Sequence, residues 1–565
     1  MRTAKPSFSV IAVSFAVMIL GVHQTGGFFP WVHAFGLVAA LNLILVATVT
    51  KPNIGVSLAT ITAVAIALRV FLYSWPASTI GMDPDNYAVA VNRVIQQGST
   101  EFLEPLTQTY SSMPAFHIFN AIVSTTAGFE GQAVLIAMPI ALGAAFPLTA
   151  AALTRRAGAD TAHTLLAAII ATFLAIGVWA SYWPIAQALG VIISATFILL
   201  LTIAVSTGNK NALGATFLCT VPLLFTHPTA LFIPSLIVLT AVLAYYIKKP
   251  IVPVKSLGVE RAMVEKFGMV GMIIATCLAV QWVFLTEFSR RAFLSQLLPY
   301  LSTAGSITSA DPNFVSAVEA APGIGGILAR RAHFFIIAPI VAIAGVWVWY
   351  RRQDASISLV IGGAGVTVAL SAALILGFGA AAPRRIALYG VPMFGAVVAL
   401  AIMHRPKWVP GGTMAIALAI LTPLLVAQVG GAVFAPDYPN EPRYYLTSGE
   451  VDAKTFMTGY SSDDVAMDYF YSREQIDLTS RDANPIGGGS ANFPGTDHLG
   501  DVLLNATLPD SNISPVLLRE RLEANRFNPG NYRLTWNPIE EMDLSVRHER
   551  IYDNGHAVGY RRNSP

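Results

Sequence analysis

The chain has 565 residues, a net charge of +3, 54% hydrophobic residues and only 12% charged ones. Ordinary soluble domains carry roughly 25% charged residues, so most of this chain is not of that class. The near-balanced charge leaves no basic footprint for nucleic acid, and the only two cysteines, Cys219 and Cys277, sit inside apolar runs and exclude a disulfide framework.

Apolar runs of about 18 to 22 residues, the length that spans a hydrocarbon core as helix, recur over the first three quarters of the chain. About thirteen are predicted, centred on residues 8–22, 32–49, 55–75, 132–153, 162–180, 184–206, 212–226, 230–247, 269–287, 333–350, 357–380, 386–403 and 412–434. The first and seventh are short. Met1-Arg-Thr-Ala-Lys-Pro resembles the start of a signal peptide, but no small-residue cleavage site follows, so a retained anchor is expected. With the N-terminus inside, Lys51, Arg155, Arg156, Lys210, Lys248, Lys249, Lys255, Arg261, Lys266, Arg351, Arg352, Arg405 and Lys407 all fall on cytoplasmic connections. Trp75, Trp179, Tyr182 and Trp183 fall at outer ends, where interfacial aromatics belong. The expectation is a multi-pass cell-membrane domain over residues 1–434, with outer loops 76–131 and 288–332.

Loop 76–131 opens with Gly81-Met82-Asp83-Pro84-Asp85-Asn86-Tyr87, and the first 434 residues hold only twelve Asp and Glu in all. Charge at a membrane is costly, and two acids this close ask for a use. Residues 87–97 and Pro114-Ala-Phe-His117-Ile-Phe-Asn-Ala-Ile-Val have helical apolar spacing and read as interfacial helices. Asp83 and Asp85 could alternatively cap a helix starting near Asn86. Arg69, near the outer end of the third run, is expected to snorkel or to pair with a loop carboxylate.

Three arginine pairs oppose the charge bias by falling outside: Arg290-Arg291, Arg330-Arg331 and Arg384-Arg385. The last, in Gly379-Ala-Ala-Ala-Pro383-Arg-Arg-Ile-Ala-Leu-Tyr389, has no other charge nearby and suits an anionic partner such as phosphate. His227, before Pro228 at an outer helix end, reads either as a substrate contact or as a donor to a freed carbonyl. His117 reads first as packing. Loop 288–332 begins amphipathic, and its Thr303–Pro312 stretch could cover a site.

From Ala435 the composition changes: residues 435–565 hold twelve Lys and Arg against twenty Asp and Glu. Val451–Met457 and Pro515–Ala524 read as helices, the second with Ser514 as its N-cap. Arg533-Leu-Thr-Trp and the stretch from Glu549 to Tyr560 read as strands, the latter folding about Asn554-Gly555. The expectation is a small α+β domain on the outer surface. Asn505-Ala-Thr507 and Asn512-Ile-Ser514 are sequons, the second weakened by Pro515.

Paired acids, interfacial helices and outward arginines fit sugar transfer from a lipid-phosphate donor. An arginine would stabilise the departing phosphate, and a carboxylate would take the acceptor proton. The layout resembles the GT-C glycosyltransferases, through Asp83-Pro-Asp-Asn-Tyr87, Tyr110-Ser-Ser-Met-Pro-Ala-Phe-His117, Phe225-Thr-His-Pro228, Pro383-Arg-Arg385 and Arg550-Ile-Tyr-Asp-Asn-Gly555. Among these it looks most like haloarchaeal enzymes that use dolichyl-phosphate mannose in N-glycosylation, which would place it at a cell surface bearing S-layer glycoprotein. It departs from their simplest pattern in having two runs before the one that leads to the acidic loop. The resemblance implies Asp83 or Asp85 as base, with Asp83 favoured, Arg384, Arg385 and Arg290 at the donor phosphate, and Tyr87, His227 and His117 near the substrates. It implies no certain cofactor; a divalent cation, Mg or Mn, would fall to Asp83 and Asp85. Competing readings are a transporter or flippase of lipid-linked glycans and an oligosaccharyltransferase or glycan polymerase. The first lacks mid-membrane charge and internal repeats. The second is expected to carry a Trp-Trp-Asp type signature, and the tail has one tryptophan, Trp536.

Overall fold

A computed structural model of the chain describes residues 53–74, 82–100, 111–129, 131–174, 184–248, 257–285, 332–351, 355–377, 386–406, 446–460, 465–468, 515–520 and 536–563, with a few single positions between them. Nearly all of the predicted runs 8–22, 32–49 and 412–434 lie outside these residues. So do both sequons and loop 288–332 up to Arg331, apart from Val318 and Glu319.

The described part of the membrane region is helical. Its helices are α1 (Ile54–Ser74), α2 (Met82–Gln97), α3 (Ala115–Ala127), α4 (Ala137–Arg156), α5 (Thr161–Phe173), α6 (Ala186–Thr207), α7 (Lys210–Leu224), α8 (Pro228–Lys248), α9 (Leu257–Val280), α10 (Ala332–Arg351), α11 (Ala355–Gly377) and α12 (Val391–Met403). A 3₁₀ turn, Gly131–Ile136, leads into α4, and α9 runs on into a π turn, Gln281–Leu285. Among the described residues, Ala133–Arg156, Ala186–Thr207 and Pro228–Ile247 are long and apolar enough to cross a membrane. Local chemistry sets the boundaries. The Asp160 side chain accepts from His163 N at the start of α5, and Asn209 accepts from Asn211 N and Ala212 N at the start of α7. Gly128 and Gly208, with φ of 72° and 67°, end α3 and α6.

Packing is close where residues are small. A Cβ on Gly143 of α4 would lie 2.8 Å from Ile66 Cα of α1, and one on Gly362 of α11 would lie 2.7 Å from Ala241 N of α8. Without a hydrophobic drive between helices in lipid, such close approach is what holds them. Arg69 differs from expectation. It is 0% exposed, donates to Ala65 O at 3.0 Å and Thr172 O at 3.2 Å, and lies 5.5 Å from the Phe146 ring centre. It therefore does not snorkel, and its hydrogen-bond partners among the described residues are carbonyls. Thr172 is in the last turn of α5, whose carbonyls lack helical partners and attract a cation.

The helices alternate between two ends. At one, Ala157, Ala159, Val348, Ile357 and Leu400 form a cluster, Trp347 Nε1 donates to His404 O at 2.8 Å, and Trp349 Nε1 donates to Ala244 O at 3.1 Å. Arg155, Arg156, Arg351 and Arg405 stand at this end, as the charge bias predicts. The opposite end carries the loop helices.

In the tail, α13 (Ser448–Tyr460) extends the predicted Val451–Met457 helix. It opens with a capping box in which Thr447 N donates to Glu450 Oε2 at 2.7 Å and Glu450 N to Thr447 Oγ1 at 3.3 Å. The predicted helix over Pro515–Ala524 is instead strand β2 (Val516–Arg519). Its four residues are all buried, and a run apolar on both faces suits a strand with partners on each side. Those partners are β5 (Ala557–Arg562) and a parallel bridge to Ala466. β5 also pairs with β4 (His548–Asp553) around Gly555, giving the order β2-β5-β4 and the predicted hairpin. Helix α14 (Pro538–Leu544) precedes β4. Arg519 holds Asp468 through two bonds of 2.9 Å, both side chains 1% exposed. Val318–Glu319 (β1) pairs antiparallel with Arg533–Leu534 (β3), so the predicted outer loop and the predicted outer tail meet.

The helix crossings carry a direct expectation. Gly362→Val forces a side chain against Ala241 backbone and lowers the thermal midpoint in detergent, by about 1–3 kcal/mol of stability. Gly365→Ala, whose Cβ would meet nothing within 4 Å, leaves the midpoint unchanged.

Candidate functional site

The acidic motif forms the first turn of α2. Met82 begins the helix, four positions before the start expected at Asn86, because Pro84 fits the first turn, where its missing N–H is not needed. Asp83 and Asp85 therefore lie within the helix rather than before it, where the dipole favours carboxylates. Positions two apart stand about 200° apart round an α-helix and do not face each other. Asp83 is one turn before Tyr87, on the same stripe.

Tyr87 fixes how that stripe is docked. Its ring meets those of Phe116 and His117 of α3 edge to face, at centroid distances of 5.2 and 5.6 Å, and Phe116 meets His117 at 5.5 Å. Tyr87, Phe116 and His117 are all buried. Burial pushes His117 down to about 3, so its ring is neutral at ordinary pH.

Helix α3 is anchored in turn to the corner between α7 and α8. Ala115 N donates to Phe225 O at 3.0 Å. From the π turn, Gln281 Nε2 donates to Leu224 O at 2.6 Å, reaches His227 O at 3.5 Å and lies 3.7 Å from Met113 Sδ. Trp282 Nε1 donates to Pro228 O at 3.4 Å. π turns inside α-helices recur at functional sites.

His227 is the partly buried side chain of this corner. Thr229 N donates to His227 Nδ1 at 3.2 Å, and Thr229 Oγ1 lies 2.8 Å from the same nitrogen. Thr229 Oγ1 is also 3.2 Å from the hydroxyl of Tyr389. Tyr389 is buried and follows Arg385 by four residues. The structure thus brings Tyr87, His117 and His227 to one end of the bundle, with the backbone of Asp83 and Asp85 on α2. Arg290, Arg384 and Arg385 lie outside the described residues, as do the side chains of Asp83 and Asp85.

Sequence reasoning passed over Thr229, Tyr389 and Gln281. Thr229 and Tyr389 are 160 residues apart, and no local pattern joins them. Gln281 carried a signal: an amide inside an apolar run needs partners.

The buried His117 has a pH consequence. The unfolded chain takes up a proton below about 6.5, its usual value, while the folded ring resists protonation down to about 3. Its contribution to stability is complete above 6.5 and declines as pH falls toward 3. The detergent-solubilised protein is expected to lose thermal midpoint between pH 6.5 and 4, and His117→Phe to lose less over the same range.

No family model matches the chain, and no curated protein matches it. Among solved structures, the apo oligosaccharyltransferase of Archaeoglobus fulgidus is similar with a TM-score of 0.50 and 11% identity, covering 82% of this chain and 70% of that one. ArnT from Cupriavidus metallidurans gives 0.46 and 11%, covering 89% and 97%. The arabinofuranosyltransferase AftD from Mycobacteria gives 0.42 and 13%, covering 90% and 40%. At 11% identity the likeness to the Archaeoglobus structure is one of fold alone.

Proposed function

We propose that this protein is a membrane glycosyltransferase that moves a sugar from a polyprenyl-phosphate donor to a glycan or glycoprotein acceptor. The observation that carries the reading is the docking of α2. Through Tyr87, Phe116, His117 and the Ala115–Phe225 bond, the helix whose first turn includes Asp83 is held at the same bundle end as His227 and Tyr389. The first turn of α2, His227 and the segment that follows Arg384-Arg385 lie there, opposite the end bearing Arg155, Arg351 and Arg405. With those basic residues cytoplasmic, the site faces outward, and the tail from residue 435 forms a domain on the same side.

The chemistry follows from these groups. Asp83 takes the proton of the acceptor hydroxyl as its oxygen bonds to the anomeric carbon. The bond from that carbon to the donor phosphate oxygen breaks, and Arg384 and Arg385, with Arg290, hold the departing phosphate. Asp83 is favoured as the base because the resemblance gives that role to the first acid of such motifs. An Mg or Mn ion would be held by Asp83 and Asp85 together with substrate oxygens. Mannose carried on dolichyl phosphate is the donor the sequence resemblance implies.

A second reading, transfer of a whole glycan, draws on the fold likeness to the Archaeoglobus oligosaccharyltransferase. Against it, the tail's one tryptophan, Trp536, is occupied in the tail core, with Nε1 donating to Leu503 O at 3.1 Å.

Membranes containing wild type, Asp83→Asn or Asp85→Asn at matched levels are given dolichyl-phosphate mannose with labelled sugar. Wild type is expected to label endogenous glycans and Asp83→Asn to lose about 10²–10⁴-fold, with Asp85→Asn losing less. Full activity in Asp83→Asn would remove it as the base. Wild-type transfer of a preassembled lipid-linked oligosaccharide alone would favour the second reading.

A further inference from the structure

We propose that the tail carries a binding surface for a neutral saccharide chain, built on Tyr552, Phe456 and Tyr460 and edged by Arg561 and Glu549. That this chain is the acceptor glycan rests on the glycosyltransferase reading above.

The surface follows from one glycine. Gly559 of β5 pairs with Tyr552 of β4. A Cβ at Gly559 would lie 2.6 Å from Met457 Sδ and 3.1 Å from Tyr552 Cβ, so the missing side chain lets α13 settle on the sheet through Met457. Phe456, the residue before Met457, then meets Tyr552, with ring centroids 4.6 Å apart and planes inclined by 23°. Tyr460, one turn further along α13, continues the row at 5.9 Å and 11°. These near-parallel rings come from two elements, yet much of their surface meets water: Phe456 is 45% exposed and Tyr460 53%. Single exposed apolar residues are ordinary, but a contiguous row of them marks a place where something binds.

The row ends on polar groups. Arg561 stands opposite Glu549 across the β4–β5 pair. It donates from Nη2 to Glu549 Oε2 at 3.3 Å and from Nη1 to the Tyr460 hydroxyl at 3.4 Å. Both charged side chains remain half exposed. The edge therefore offers donors and acceptors with no net charge.

A pyranose has the complementary pattern. One face presents C–H groups polarised by neighbouring oxygens, and these meet the negative face of an aromatic ring. Its rim presents hydroxyls that donate and accept, which suits a guanidinium beside a carboxylate. A stable protein partner takes about 800 Å² from each side, far more than two half-exposed rings supply. An anionic lipid surface is disfavoured, because residues 435–565 hold twenty Asp and Glu against twelve Lys and Arg. Holding an acceptor chain on the tail raises its effective concentration at the enzyme.

Saturation-transfer NMR on the full-length protein in detergent tests the surface, with mannotriose and maltotriose as probes. In wild type, saturation of aromatic protons is expected to pass to the ring C–H protons of at least one probe. Phe456→Ser and Tyr460→Leu, the latter keeping apolar bulk without a π face, are each expected to weaken affinity about tenfold. Tyr460→Trp should retain binding, and so should Leu544→Ser, at an exposed position of the same domain. Unchanged thermal midpoints separate lost stacking from lost fold. No transfer to either probe in wild type, or wild-type affinity in Tyr460→Leu, would overturn the surface. Variants that alter particle mass rather than sugar binding would also overturn it, making the row an interface between copies. The acceptor role is read separately, with the bound probe as acceptor. Tyr460→Leu is expected to raise acceptor KM about tenfold with kcat unchanged, and an unchanged KM would overturn that role. A wild type that transfers no sugar would overturn the glycosyltransferase reading, while the binding spectra would still decide the surface.

Discussion

The corner between α7 and α8 is where the arrangement of the site is decided. Helix α7 ends at Leu224, and its last carbonyls have no helical partners. Pro228, which begins α8, brings no N–H of its own. Away from water, carbonyls in this position must find donors or lose free energy on the order of 1–3 kcal/mol each. They find them in two other elements: Ala115 N at the head of α3 and Gln281 in the π turn after α9. Satisfying one corner thereby fixes the loop helix and the end of a distant helix against it. The acidic helix follows, because Tyr87 packs on the same α3.

This arrangement holds loop helices too short to span a membrane firmly against one end of the bundle. The surrounding bundle provides the frame, with crossings at Gly143 and Gly362 that admit no side chain and a buried Arg69 that closes the end of α5. Rigid support beneath a reacting group is what transition-state stabilisation requires, since a shift of 1 Å can remove much of it. In the tail, the Asp468–Arg519 pair and the Glu450 capping box give a comparable internal brace.

Much of the membrane architecture was legible because its signal is long and redundant. Twenty apolar residues in a row announce a helix wherever they pack, and the basic residues at one bundle end repeat the same message. The failures came where a short local signal met a long-range one. Ser514-Pro515 looks like a helix start, yet Val516–Arg519 is a strand because Ala557–Arg562 lies beside it. Asp83 and Asp85 look like caps of a helix starting near Asn86, yet that helix begins at Met82. Arg69 looks like a snorkelling cation, yet Thr172, about a hundred residues on, offers it a carbonyl. Within the proposed site, Asp83, His117 and His227 were visible as unusual residues in an apolar chain. Thr229 and Tyr389 were not, since their meaning exists only when α8 and the segment before α12 are side by side.

The central claim is that the lipid-phosphate donor docks at the bundle end built on the α7–α8 corner. Photolabelling tests it most directly. A photoreactive dolichyl-phosphate analogue is cross-linked to the full-length protein in membranes, and the labelled peptides are mapped. The account predicts label within residues 82–97, 225–231 or 383–389, competed by dolichyl phosphate. Competed label confined to the opposite end, around residues 155–161 or 404–407, would contradict it.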